Sequence, residues 1–309
     1  MLKYIGKRLL MMIPVMIGVI IIVFTMLYIT PGDPAMLILG ETSTEAERDA
    51  LREEMGLNEG YFKRLGDFCY DLVFHLDLGK SYANGQPVMD LIKARLPCTV
   101  IMAVASVGFA LIMGLVLGII SAAKPYTLLD NVSMTLALVG VSMPNFWQGL
   151  LLMLLFSVNL KWFPATGWGT WKHVVLPAIT VGTSSAGIIA RMTRSSMLEV
   201  INSDYINTAR AKGQKEFVVI TRHALRNALI PVMTTVGLQF GAMLGGALLT
   251  ETVFAMPGLG KLMVDSINGH DYSVVQGGVL IIAIMFSLVN LVVDILYAYA
   301  DPRIKSNYV

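Results

Sequence analysis

Residues 195–231 read SSMLEVINSDYINTARAKGQKEFVVITRHALRNALIP. This polar stretch lies between two apolar runs and is longer than a simple turn needs. Asp204 is placed to cap a short helix over 205–212, and Gly213 to terminate it. A second helix can start beyond the glycine. At about 100° per residue, Lys215, Arg222 and Arg226 fall in one narrow stripe, with Phe217, Ile220, Ala224 and Ala228 on the opposite side. One face can then pack on membrane helices while the other meets water, headgroups or a partner. Two readings stay open on the pattern alone. One is an interfacial helix with snorkelling basic side chains; the other is a docking element for a cytoplasmic partner.

The rest of the chain sets the environment. Of its 309 residues, 55% are hydrophobic and 14% are charged, against about 25% charged in an ordinary soluble protein. Too few polar residues are present to cover a soluble fold of this size. That excludes a disordered chain and a nucleic-acid-binding domain, and it argues against a soluble enzyme. A spanning helix needs about 20 mostly apolar residues. Such runs occupy 9–29, 99–122, 132–160, 174–190, 231–253 and 279–298, with Pro144 kinking the third. The first follows Lys3, Lys7 and Arg8, but it is too long for a cleaved leader and no small-residue cleavage site follows it, so it is read as a retained membrane helix.

The expected architecture is therefore all-α and polytopic, with six transmembrane helices. Residues 1–29 form the N-terminal tip and first helix, 30–98 an insertion, and 99–309 a five-helix core containing the segment 191–230. The stretch 30–99 holds twelve acidic and seven basic residues, and reads as water-exposed. Within it, Thr44 and Glu47 form a capping-box signature, with a helix running to Gly56 and a second amphipathic helix over 61–74. Residues 191–226 carry seven basic and three acidic side chains. With the N-terminal tip and with Arg303 and Lys305 they fall on one side, which the positive-inside rule makes cytoplasmic. Both termini are then cytoplasmic and the insertion lies outside.

No catalytic constellation appears. Gly258-Leu-Gly260-Lys261 lacks the spacing and the Ser or Thr of a phosphate loop, no H-E-x-x-H is present, and Gly182-Thr-Ser184 lacks the second glycine of a nucleophile elbow. His75, His173, His223 and His270 are scattered, and Cys69 and Cys98 offer either a disulfide or two independent thiols, so no metal site is expected. Glu251 and Asp294 lie in or beside apolar runs and need a partner, an interface or a wet cavity. Ser142, Asn145 and Gln148 around the Pro144 kink, with Gln239, are the candidate lining of a polar path. Gly237, Gly241 and Gly245, with Gly246 beside them, and Gly114 with Gly118, set small residues on helix faces that can approach neighbours closely.

At this point the residues carry a family resemblance. Ala209, Gly213 and Leu225 stand at the spacing of the EAA loop of permease subunits of binding-protein-dependent ABC importers. Asn207, Thr208 and Arg226 depart from the general pattern, but DYINTARAKG followed by RHALRNALIPV resembles the dipeptide/oligopeptide/nickel branch. So do the opening MLKYIGKRLL with PGDP, Asp77-Leu-Gly79-Lys-Ser81, Ile189-Ala-Arg191-Met-Thr-Arg194, Pro257-Gly-Leu-Gly260, Asp271-Tyr272 and Asp301-Pro-Arg303. The resemblance covers nearly the whole chain. It implies the type I importer permease fold in a bacterial cytoplasmic membrane, with Asp204, Tyr205, Thr208, Ala209, Arg210, Ala211, Lys212 and Gly213 as the helix that inserts into an ATPase groove.

The implied partners are a second, homologous permease in a heterodimer, a pair of cytoplasmic ABC ATPases, an external substrate-binding protein and membrane lipid, with no nucleic acid. ATP and magnesium belong to the ATPases, and this chain carries no cofactor and no enzymatic site. Peptides are the implied cargo, with glutathione or nickel as alternatives within the same machinery. The reading from another class is an ion-coupled secondary carrier, which predicts inverted repeats and buried ionisable pairs.

Overall fold

The computed structural model describes residues 2–30, 32–40 and 42–300. The chain opens with α1 (Leu2–Ile29). Asp33 then caps α2 (Pro34–Leu39): its carboxylate accepts the Ala35 N–H at 3.0 Å, and Pro34 occupies the first turn, where a missing N–H costs little. Thr44 starts α3 (Glu45–Glu54) with a reciprocal capping box, in which the Glu47 carboxylate accepts the Thr44 N–H at 2.8 Å. Gly56, at φ +66°, turns the chain after it. α4 (Tyr61–Tyr70) follows and widens into a π turn over Asp71–His75. The capping signature and the amphipathic pattern of the insertion thus produce the helices expected of them.

The remaining elements are α5 (Val88–Ala123), α6 (Leu128–Ser142), α7 (Asn145–Leu152, continued by π turns over Met153–Asn159), α8 (Trp171–Ile201), α9 (Asp204–Ala211), α10 (Glu216–Val218), α11 (Leu225–Val253), α12 (Leu259–Asn268) and α13 (Tyr272–Ala300). A π turn over Val219–Ala224 joins α10 to α11. Among the described residues, five helices are long and apolar enough to cross a membrane: Gly6–Ile29, Val88–Ala123, Trp171–Ile201, Glu216–Leu244 and Tyr272–Ile295. The pair α6 and α7 passes the same test together, bent by 106°, and makes a sixth crossing when taken as one broken span. Pro144 lies at that break, where its fixed φ and missing N–H interrupt the helix. Most spans extend beyond their apolar runs. α5 begins at Val88, because its first turns pack Val88 and Ile92 against Leu78 and Val274 although Asp90, Lys93 and Arg95 share that stretch.

Glycine contacts give the helix directions. A Cβ on Gly114 would sit 2.6 Å from Ile189, one on Gly118 2.5 Å from Thr193, and one on Gly182 2.7 Å from the Ser106 carbonyl. Residue numbers rise together, so α5 and α8 run parallel, with backbones in close approach. α6 runs against α8: Gly140 meets Thr183, and Gly187 meets the Ala137 carbonyl. α11 and α13 are also antiparallel, with Gly237 against Val293 and Gly241 against Phe286. Gly114, Gly118, Gly237 and Gly241 thus lie where helices approach closely, as their spacing suggests, while the surroundings of Gly245 and Gly246 fall outside the described side chains.

With α6 and α7 taken as one broken span, the crossings alternate between two ends. One end carries Arg8, residues 195–231 and the start of α6, and is called the basic end below. The other carries the insertion. Arg8 reaches Asp294 at 2.9 Å near the basic end, tying α1 to α13. At the opposite end, Asp271 accepts the Ser81 hydroxyl and the Tyr82 N–H (3.1 Å), and Gly32 lies directly against the Tyr272 hydroxyl. The PGDP, Asp77–Ser81 and Asp271–Tyr272 motifs, distant in sequence, therefore meet where the insertion is strapped to α1 and α13. Arg303 and Lys305, and with them the Asp301-Pro-Arg303 motif, lie outside the described residues.

Candidate coupling site and membrane path

The segment 202–224 folds as a short helix standing on a buried foot. Ser203, not Asp204, is the N-cap residue. Its backbone is extended (φ −79°, ψ 152°) and its hydroxyl donates back to the Val200 carbonyl at 2.6 Å. Asp204 stands instead in the first turn of α9, where the partial positive charge of the helix favours an acid. Gly213, at φ +77°, ends the helix as expected, its N–H bonding to the Arg210 carbonyl at 2.9 Å. Arg210 then grips Glu216 through Nε and Nη2, at 3.1 and 2.7 Å, which fixes the angle between α9 and α10.

Ile206 is the residue that sequence reading missed. It is fully buried against Ala122, Met197, Val219, Ala224 and Ala228, which brings α5, α8 and α11 to one apolar cluster beneath α9. Its signal was an isolated Ile in a polar stretch. Full burial of such a side chain contributes about 1.5–3 kcal/mol. Around it Asp204, Tyr205, Thr208, Ala211, Lys212 and Gly213 face outward, while Ala209 and Arg210 are half-buried. Tyr205 is steadied by the Asn227 amide, which donates to its hydroxyl at 2.6 Å. The helix thus offers one continuous outward face on a rigid base.

The amphipathic pattern beyond Gly213 is only partly realised. Ala224 and Ala228 are buried and Ile220 is half-buried, but Phe217 is exposed and Val219 is buried in its place. The π turn over Val219–Ala224 explains this, since each residue there advances by less than the 100° assumed for an α-helix.

Also at the basic end, Arg194 of α8 holds the buried Asp130 of α6 through Nε (2.8 Å) and Nη2 (2.7 Å). The same carboxylate accepts the Ser121 hydroxyl of α5 and the Tyr126 N–H (2.9 Å). Three spans are tied at the basic end by one carboxylate, with all its strong acceptor positions used.

The polar path residues divide. Ser142, exposed in this chain, and half-buried Asn145 flank the Pro144 break, and Gln148 is buried one turn on, with Oε1 lacking a partner among the described residues. Gln239 is elsewhere, on α11, where its amide donates to Ser185 of α8 at 2.9 Å. The structure therefore brings three of the four together at the break. Glu251 is wholly buried. Its carboxylate accepts the Thr99 hydroxyl at 2.6 Å and the Lys261 N–H at 3.0 Å, at the start of α12. Thr99 in turn accepts the Leu259 N–H at 2.8 Å. Gly258 has no room for a side chain beside that carboxylate, which accounts for the Pro257–Gly260 motif. Cys69 and Cys98 are separate thiols.

A family model described as "Binding-protein-dependent transport system inner membrane component" matches residues 114–306, and its N-terminal companion matches residues 1–103. The chain is 45% identical to the dipeptide transport system permease protein DppB of Alkalihalophilus pseudofirmus, covering 99% of this chain and 100% of that one. It is 43% identical to the glutathione transport system permease protein GsiC of Pectobacterium atrosepticum, over 99% of both. A putative peptide transport system permease protein of Brucella abortus is 41% identical, over 97% of this chain and 98% of that one. Among solved structures, an inward-facing MetNI methionine ABC transporter superposes with a TM-score of 0.59 at 20% identity, covering 69% of this chain and 97% of that chain. At that identity the likeness concerns the fold alone.

Proposed function

Since this chain belongs to the inner-membrane components of binding-protein-dependent transport systems and has the type I ABC importer permease fold, we propose that it forms half of a peptide translocation path. The other half is a second, homologous permease. Full-length similarity to a dipeptide permease carries the choice of cargo. Glutathione, a γ-glutamyl tripeptide, falls within the same class, and the similarity to a glutathione permease favours including it.

Two cytoplasmic ATPases supply the energy and hold the ATP and magnesium; an external binding protein delivers the cargo; this chain carries no cofactor. The basic end is cytoplasmic, with both termini, and the insertion 30–98 faces outside, where it can meet the binding protein. This follows the charge bias of the short flanks.

The coupling helix is α9, from Asp204 to Gly213, and the observation that supports it is the exposed helix standing on buried Ile206. A displacement of α9 reaches α5, α8 and α11 together through that cluster. Because α5 and α8 are in backbone contact at Gly114, Gly118 and Gly182, they move as one body. Alternating access then consists of two packings of this body against its neighbours, biased by the ATPases. Ser142, Asn145 and Gln148 at the α6–α7 break, with Gln239 on α11, line the path.

The test is uptake of a labelled dipeptide into proteoliposomes containing the whole complex. Uptake that needs ATP and the binding protein supports the proposal. Uptake that persists without the ATPases and follows an ion gradient overturns it.

A further inference from the structure

The turn between α5 and α6 projects an aromatic side chain into solvent at the basic end. Tyr126 is 88% exposed and Leu128 is 78% exposed, and Phe217, at the same end of the molecule, is 77% exposed. Tyr126 has φ +61°, a conformation that costs a non-glycine residue on the order of 1–3 kcal/mol unless its surroundings impose it. Here they do: the Tyr126 N–H is held by Asp130, itself locked by Arg194, and the Thr127 hydroxyl donates to the Lys124 carbonyl at 2.6 Å.

Beside this turn lies a cavity of about 350 Å³. Its lining combines Pro125, Leu198 and Ile220 with Tyr126, Asn202 and the Arg210–Glu216 pair. The cavity is therefore walled jointly by the α5–α6 turn and by the segment carrying α9. Lys124, between the lining residues Ala123 and Pro125, and Lys212 and Lys215, between the lining residues Arg210 and Glu216 in sequence, are exposed, with no ion pair among the described residues.

We propose that this cavity is a second contact for the ATPase subunit, receiving large apolar or aromatic side chains flanked by acidic groups. The volume has room for more than one large side chain, and the exposed lysines beside it set the charge of what flanks them. The inference rests on α9 being the coupling helix, because continuity with that helix is what selects the ATPase over the lipid headgroups that also favour tyrosine and lysine.

The test uses the assembled complex in nanodiscs, with a photoreactive benzophenone residue replacing either Tyr126 or Thr208. Cross-links to the ATPase from both positions support the proposal. Cross-links from position 208 alone, with 126 giving only lipid adducts or none, overturn it and leave the coupling helix standing. Absence of ATPase cross-links from both overturns the coupling assignment and this inference with it. Filling the cavity with Ala123→Phe, at an exposed position, should weaken ATPase association about tenfold or more, as blocking an anchor pocket does. Unchanged association would contradict the proposal.

Discussion

Arg194 and Asp130, 64 residues apart, form a two-pronged ion pair at 2.8 and 2.7 Å that joins α8 to α6 at the basic end. Removing Arg194 leaves the buried Asp130 carboxylate unpaired, whereas removing Asp130 leaves a guanidinium that is a quarter exposed. Arg194→Leu should therefore destabilise the complex by about 3 kcal/mol, and Asp130→Ala by less, read as lowered thermal midpoints in detergent. Asp130→Ala and Arg194→Leu should be strongly non-additive in a double-mutant cycle. Additive effects would mean the pair is not coupled.

Gly258 faces the Glu251 carboxylate with no space for a methyl group. Gly258→Ala should displace the start of α12 at a cost of about 1–3 kcal/mol. Transport should fall while the permease still inserts, measured by uptake alongside membrane abundance. Glu251→Gln keeps the shape and one acceptor, so it should be milder than Gly258→Ala.

Outside the membrane, the Arg52 guanidinium beside Asp33 holds that carboxyl below its ordinary range, helped by the Ala35 N–H. A depressed value in the folded state means that the stabilisation is complete above about pH 4, the unfolded value. It is lost as pH falls through the lower folded value. Hydrogen exchange of residues 45–54, corrected for intrinsic rates, should stay slow down to about pH 4 and rise below it. In Arg52→Gln exchange should be faster at neutral pH and change less with acidification.

The path residues make separable predictions. Asn145→Leu at the α6–α7 break should reduce peptide uptake without reducing assembly. Gln239→Leu also breaks the bond to Ser185, so it should reduce uptake and loosen α11 against α8 by about 1 kcal/mol. Unchanged uptake in Asn145→Leu would remove the break from the path.

The spans were legible because charge is scarce and collects at their ends. The capping box at Thr44 and the stop at Gly213 were legible because each is a local rule acting over a few residues. What could not be read is what depends on partners far along the chain. Asp130 and Arg194 are 64 residues apart with no local signal of their pairing, which exists only because α6 and α8 lie side by side. Ile206 looked like a lone apolar residue until three helices met beneath it. Phe217 was misplaced because the 100° rule does not hold through a π turn. Glu251 showed only that it needed partners; which groups supplied them depended on the fold.

The central claim is that α9, ended by Gly213, transmits ATPase closure to the membrane helices. Gly213→Val places a β-branched residue at φ +77°, a conformation costing it on the order of 1–3 kcal/mol. The direct measurement is binding-protein-stimulated ATP hydrolysis by the reconstituted complex carrying this change. The account predicts that stimulation is lost while the permease remains inserted and folded. Stimulated hydrolysis at the wild-type rate would contradict it.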